Sequence, residues 1–194
     1  MLVANAIAEV LKREKVKFII GYPVNPIIEA AAEADIRTII VRQERVGLHM
    51  ADAVSRLSSG DDIGVFVMQH GPGAENAFGG VAQAYSESVP ILVMPAGYQR
   101  RLANYFPNFN STQNMQHVTK WAEPLTMGKA LPEVMRRAFS QLRNGRGGPV
   151  LIEVPLDVFR EEVPDDFIYV PSFKSRTAPD PADIASVAKV LAEA

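Results

Sequence analysis

Arg37-Thr38-Ile39-Ile40-Val41-Arg42-Gln43-Glu44-Arg45-Val46-Gly47-Leu48-His49-Met50 is the stretch that decides the fold. Arg37–Val41 is a β-branched, largely apolar run suited to a short strand. From Glu44 the apolar positions change to helical spacing, with Val46, Met50, Val54 and Leu57 along one side. A carboxylate therefore stands where a strand stops and a helix starts. In parallel α/β sheets, ligands bind beyond the carboxyl ends of the strands.

Two more junctions have the same form. Val16–Ile20 is a short apolar strand stopped by Gly21-Tyr22-Pro23, and Pro26 opens a helix running to about Ala34. Ile63–Met68 is a third strand, leading through His70 into Gly71-Pro72-Gly73-Ala74-Glu75-Asn76 and a helix of small residues, Ala74–Tyr85. Those small side chains imply close packing on the sheet or against another subunit. Further strands are expected at Pro90–Met94, Leu125–Met127 and Pro149–Val154, with helices at Val3–Arg13 and Leu131–Leu142. Mostly apolar strands alternating with helices indicate an α/β fold, a three-layer α/β/α arrangement around a six-stranded parallel sheet. Gly21, Glu44 and Gly71 then share one rim.

The 194 residues are 47% apolar with a formal net charge of −2, which fits an ordinary globular domain with a tail. That balance offers no electrostatic footprint for nucleic acid or an anionic membrane surface. Cysteine is absent, which excludes disulfides and thiolate metal sites, and His49, His70 and His117 are too scattered for a histidine-rich site. The start of the chain lacks a signal-peptide pattern, and no apolar run approaches the ~18 residues of a membrane span. A cytoplasmic protein is expected. Tyr98–Gln116 is a long connection, of a length usually tied to function. Beyond Val163 the chain turns Pro-rich and acidic and reads as an exposed linker over 164–181. The helix over 182–194 has an apolar face, Ile184, Val187, Val190 and Leu191, with nothing obvious to cover it.

The order and wording of these segments resemble the N-terminal, pyrimidine-binding domain of thiamine-diphosphate enzymes related to acetolactate synthase. The resemblance rests on Gly21-Tyr22-Pro23, on Arg42-Gln43-Glu44 with Gly47, His49-Met50-Ala51-Asp52 and Arg56, on Gly73 and Asn76, and on Thr119-Lys120-Trp121-Ala122. It implies the thiamine-diphosphate-binding fold with strand order 2-1-3-4-6-5. It also implies that residues 1–163 are the pyrimidine-binding domain, 164–181 a linker and 182–194 the first helix of a central domain. Thiamine diphosphate is the implied cofactor, its diphosphate held through Mg2+ by a separate domain or chain. Gly60-Asp61-Asp62 does not match that domain's magnesium motif. The implied assembly is a homo-oligomer, a dimer or tetramer with the cofactor at the subunit interface. The implied activity is decarboxylation or carboligation of a small 2-oxo acid.

Glu44 is the implied catalytic residue. Its carboxyl shares a proton with the aminopyrimidine ring, whose amino group can then take the proton from C2 of the thiazolium. On pattern alone, Glu44 can equally be an acid favoured by the first turn of a helix. Tyr22 and Pro23 are implied to offer backbone carbonyls to the ring, although Val24 and Asn25 replace the family's later glycines. Gly71, Pro72, Gly73 and Asn76 form the implied cofactor-facing turn. A glycine-rich turn before a helix also suits a generic phosphate, but Asn76 breaks the G-x-G-x-x-G spacing. His70, where many relatives carry serine, and Phe109, Gln113, Gln116 and Lys120 are the candidate substrate-facing residues. His49 reads as a structural or subunit contact and Glu87 as a support for the fourth strand. No metal ligands are expected in this chain. The other readings are a non-catalytic nucleotide-phosphate module and a structural oligomerisation domain in which Glu44 only caps its helix.

Overall fold

Side chains of the central strands alternate between two apolar cores, and that alternation builds the three layers. The computed structural model describes residues 1–175 and 177–194. Its strands are β1 (Phe18–Gly21), β2 (Arg37–Ile40), β3 (Gly64–Met68), β4 (Ile91–Gly97), β5 (Trp121–Pro124) and β6 (Val150–Pro155). All pair in parallel, in the order β2-β1-β3-β4-β6-β5. That is the order implied by the resemblance.

The helices are α1 (Val3–Arg13), α2 (Asn25–Glu33), α3 (Glu44–Leu57), α4 (Pro72–Ser86), α5 (Ser111–Met115), α6 (Leu131–Arg143) and α7 (Pro181–Glu193). Ile19, Val65, Val67, Leu92, Met94 and Ile152 pack with α1, α2 and α6 in one core. Ile20, Phe66, Met68, Ile91, Val93 and Leu151 pack with α3 and α4 in the other. A parallel sheet buried on both faces needs this near-continuous apolar composition. The small residues of α4 serve packing within the chain: a Cβ on Gly80 would stand 2.9 Å from the Cβ of Leu48 on α3.

The fifth strand is one turn of chain earlier than expected. Leu125–Met127 was the more apolar triplet, yet Trp121–Pro124 makes the ladder with β6. An edge strand needs only half-buried residues, and all four of its residues are half-buried. Leu125 is instead a buried plug past the strand's end, its N–H donating to the Glu153 carbonyl at 2.8 Å.

The segment after Val163 also differs from a plain exposed linker. Phe167 and Tyr169 are buried, and Arg13 stands 5.2 Å over the Phe167 ring. The Tyr169 hydroxyl donates to the carboxylate of Glu14, which is also ion-paired with Arg143. Arg143 in turn donates to the Ser172 carbonyl at 2.8 Å. Two aromatic anchors and one buried acid thus strap residues 164–175 onto α1 and α6. By contrast α7 is exposed on every side, Ile184, Val187, Val190 and Leu191 included.

Candidate functional site

The sheet order steps outward from β1 to β2 and then back across β1 to β3, so the chain reverses direction at the carboxyl ends of β1 and β3. Such a reversal leaves a crevice between diverging loops. Three loops reach it: Tyr22–Val24 after β1, Val41–Gln43 after β2, and Gln69–Gly71 after β3.

Glu44 is the first residue of α3 and only 4% exposed. A capping acid would accept hydrogen bonds from the free N–H groups of its own helix. Among the described residues no hydrogen bond or ion pair engages the Glu44 carboxylate. It faces α4 instead: a Cβ on Gly73 would lie 3.3 Å from Glu44 Oε1 and 2.6 Å from Gln69 Cγ. Only a glycine at 73 lets the carboxylate and the start of α4 approach this closely. Burying a carboxylate without donors is costly, so a native protein that keeps one calls for a ligand that supplies the partner.

Tyr22 is half-buried against the α3–α4 core, and its N–H donates to the Val67 carbonyl at 3.1 Å. The carbonyls of Tyr22 and Pro23 accept no backbone hydrogen bond among the described residues. Gly71 has φ +59, a left-handed value that glycine takes without strain, and a Cβ there would stand 2.6 Å from the Tyr98 hydroxyl. Pro72 and Asn76 are exposed along the first turns of α4.

His70 packs edge-on to Tyr98, with ring centroids 4.5 Å apart and planes at 70°. Its Nδ1 is buried without a hydrogen-bond partner, and burial pushes its pKa below the ordinary value. The ring is therefore neutral at neutral pH, with a nitrogen free to accept or pass a proton. Tyr98, the first residue after β4, was not singled out from sequence. The rule that marked Gly21, Glu44 and Gly71, namely position just past a strand's carboxyl end, would have found it.

The long connection after β4 folds back as a short 3-10 turn, Arg100–Leu102, and as α5. Phe109 packs, half-buried, against the α3–α4 core, while Gln113 and Gln116 are exposed. Lys120 does not join them. It precedes β5 and so lies at the amino edge of the sheet, opposite the rim. Its Nζ donates at 2.5 Å to the carbonyls of Gln141 and Asn144, at the end of α6. A lysine closing a helix C-terminus has its charge and donors engaged. Its expected substrate-facing place is corrected accordingly. His49 is exposed on α3, and Glu87 is ion-paired with Arg56 at 3.3 Å. No group of three or more His, Asp or Glu side chains forms a metal-binding cluster among the described residues. No helix among them is long and apolar enough to cross a membrane.

Residues 1–122 match the family model described as thiamine pyrophosphate enzyme, N-terminal TPP binding domain. The probable acetolactate synthase large subunit of Methanocaldococcus jannaschii is 32% identical over 201 aligned positions, covering 98% of this chain and 34% of that protein. The acetolactate synthase isozyme 3 large subunit of Escherichia coli is 29% identical over 161, covering 80% of this chain and 28% of that protein. Among solved structures, benzoylformate decarboxylase from Polynucleobacter necessarius superposes with a TM-score of 0.83 at 19% identity, covering 98% of this chain and 36% of that one. That likeness shows the fold. The chain spans about a third of the length of the curated relatives it matches. With the match running from the first residue through the rim at Glu44 and Gly73 and on to β5, the chain belongs to the thiamine pyrophosphate enzyme family, as its N-terminal TPP-binding domain.

Proposed function

We propose that the β1–β3 crevice holds the aminopyrimidine of thiamine diphosphate, and that Glu44 is the catalytic acid that exchanges a proton with the ring. One observation carries this reading: a nearly buried carboxylate without a donor among the described residues, held against Gly73. A protonated or hydrogen-bonded ring nitrogen is the donor such a group lacks. The free carbonyls of Tyr22 and Pro23 suit an exocyclic amino group, and Gly71, Pro72, Gly73 and Asn76 border the same space. When bound, the cofactor would supply an electron sink for the substrate's own carbonyl carbon. This chain's residues orient the ring, hold the proton at the Glu44 carboxyl and limit water around it.

The full polypeptide then acts on a small 2-oxo acid, by decarboxylation or carboligation. Support comes from relatives whose names specify acetolactate synthase, and from family membership. Mg2+ and the diphosphate belong to a domain or chain other than this one. Residues 1–163 serve as the pyrimidine-binding domain, 164–181 as the connection, and 182–194 as the first helix of a further domain. His70, with its free Nδ1, and Phe109 and Gln113 face the substrate side. A homo-oligomer, dimer or tetramer, completes the site across a subunit interface. The exposed apolar residues Ile40, Val46 and Phe78 around α3 and α4 favour such an assembly.

The test is calorimetric titration of the complete polypeptide with thiamine diphosphate plus Mg2+ and, separately, with ATP. Turnover is assayed with pyruvate and benzoylformate, an aliphatic and an aromatic 2-oxo acid. Saturable cofactor binding that weakens in Glu44→Gln is the expected result. Binding of ATP alone would replace this reading with the nucleotide-phosphate module.

A further inference from the structure

A second buried acid lies on the rim, and the cofactor reading leaves it without a role. Glu153 occupies β6, a strand otherwise made of apolar residues and proline, and is 6% exposed. Strand alternation puts it on the same face as Leu151, toward α5 and away from the α1–α2–α6 core. Its Oε2 accepts two hydrogen bonds from Thr112, one from the backbone N–H and one from the hydroxyl, both at 2.8 Å. On the other side it presses on Gly97, where an added Cβ would stand 2.8 Å from Oε1 and 3.0 Å from Cγ. Any side chain at 97 would expel the carboxylate from this seat.

We propose that Glu153 is a positioning residue for the catalytic rim, clamping the Tyr98–Gln116 connection so that Phe109 and Gln113 stay beside the cofactor site. The clamp has two ends. At one, Thr112 anchors α5, whose five residues are too few to hold a helix without tertiary support. Ser111 and Met115 are buried on either side of it, while Tyr105 and Phe106, upstream of the clamp, are exposed. At the other end, Gly97 is followed directly by Tyr98, which packs on His70 and crowds Gly71. Thr112 thus holds Glu153, Glu153 lies against Gly97, and the next residue, Tyr98, packs on His70 and against Gly71 at the start of α4. Burial pushes the Glu153 pKa up against the opposing pull of the Thr112 bonds. An acid held at that cost has a partner it must keep in place.

This inference rests on the cofactor reading above, and its test separates the two. Amide hydrogen exchange at Ser111–Met115 is compared in the complete polypeptide and its Glu153→Ala, Glu153→Gln and Thr112→Ala variants. Steady-state turnover of pyruvate and benzoylformate is measured alongside, with thiamine diphosphate and Mg2+ saturating. In Glu153→Ala, exchange at Ser111–Met115 should rise about tenfold or more, and KM should rise with the cofactor activation constant unchanged. Glutamine can still accept from both Thr112 donors, so Glu153→Gln should restore both readouts. Thr112→Ala removes the hydroxyl bond alone and gives a smaller rise of the same kind; it decides the matter if Glu153→Ala does not fold. Unchanged exchange in Thr112→Ala and Glu153→Ala overturns the clamp. Raised exchange with unaltered KM overturns the positioning role. If the wild-type protein turns over neither acid, the cofactor reading fails and the positioning role falls with it, while the exchange arm still reports whether the clamp exists.

Discussion

Glu14 and Glu44 are buried almost equally, 6% and 4% exposed, yet they sit in opposite chemical situations. Glu14 is engaged at both oxygens by groups of the fold: Tyr169 donates to Oε1 and Arg143 is ion-paired at Oε2. Glu44 has no hydrogen-bond or ion-pair partner among the described residues. Burial by itself therefore does not mark a functional acid here; the absence of a donor does. A structural carboxylate recovers its desolvation cost from fixed partners within the fold. An acid kept for a ligand leaves that recovery to the ligand, and the folded protein carries the cost until it binds.

The comparison breaks most sharply at Glu44. Glu44→Gln should leave the fold intact, because no bond is lost and a buried charge is removed; thermal unfolding should show equal or higher stability. Cofactor C2–H exchange in the complete polypeptide should fall by about 10²–10⁴-fold, the usual span for a positioned acid–base group. Wild-type exchange rates in that variant would return Glu44 to the role of a first-turn helix acid. Glu14 should behave in the reverse manner. Glu14→Ala leaves the Arg143 charge and the Tyr169 hydroxyl without their carboxylate and should cost about 3–5 kcal/mol, read from the denaturant midpoint, with the chemistry of the rim untouched in whatever protein remains folded. Tyr169→Phe removes one hydrogen bond to a charged group and should cost about 2 kcal/mol. If it costs nothing, residues 164–175 are a passive linker rather than a strap.

What could be read in advance follows the same division. Glu44, Tyr22 and the Gly71–Gly73 turn lie where one local pattern changes to another, strand to helix, and such changes are written in neighbouring residues. The partners of Glu14 are not: Arg143 and Tyr169 are more than a hundred residues away, and no local pattern announces them. Glu153 lies between these cases. A lone acid within Val150-Leu151-Ile152-Glu153-Val154 is a legible oddity, because an all-buried parallel strand has no reason to carry one. Its partner Thr112, however, comes from a connection without periodicity. Lys120 was expected near the substrate from its resemblance to the family's wording alone; the carbonyls it closes, Gln141 and Asn144, lie more than twenty residues on and leave no local mark.

The smallest expected effect concerns His70, whose Nδ1 also lacks a hydrogen-bond partner among the described residues. Burial lowers its pKa in the folded state, so the folded protein resists protonation that the unfolded chain accepts. Between the ordinary value of 6.5 and the lowered one, the unfolded state binds more protons, and stability must fall as pH drops through that window. Glu153 contributes with the opposite sign lower down: its raised pKa favours the folded state at acid pH, a contribution lost as pH rises through the raised value. The two are separated by subtraction. Denaturant midpoints of wild type and His70→Gln, measured across the acid range, should differ by a slope that is present just below 6.5 and absent above it. The slope should be shallow, because the ring is only part-buried and solvent screens the remainder. Parallel curves would mean that the imidazole gains a donor or acceptor in solution, and His70 would then belong with Glu14 rather than with Glu44.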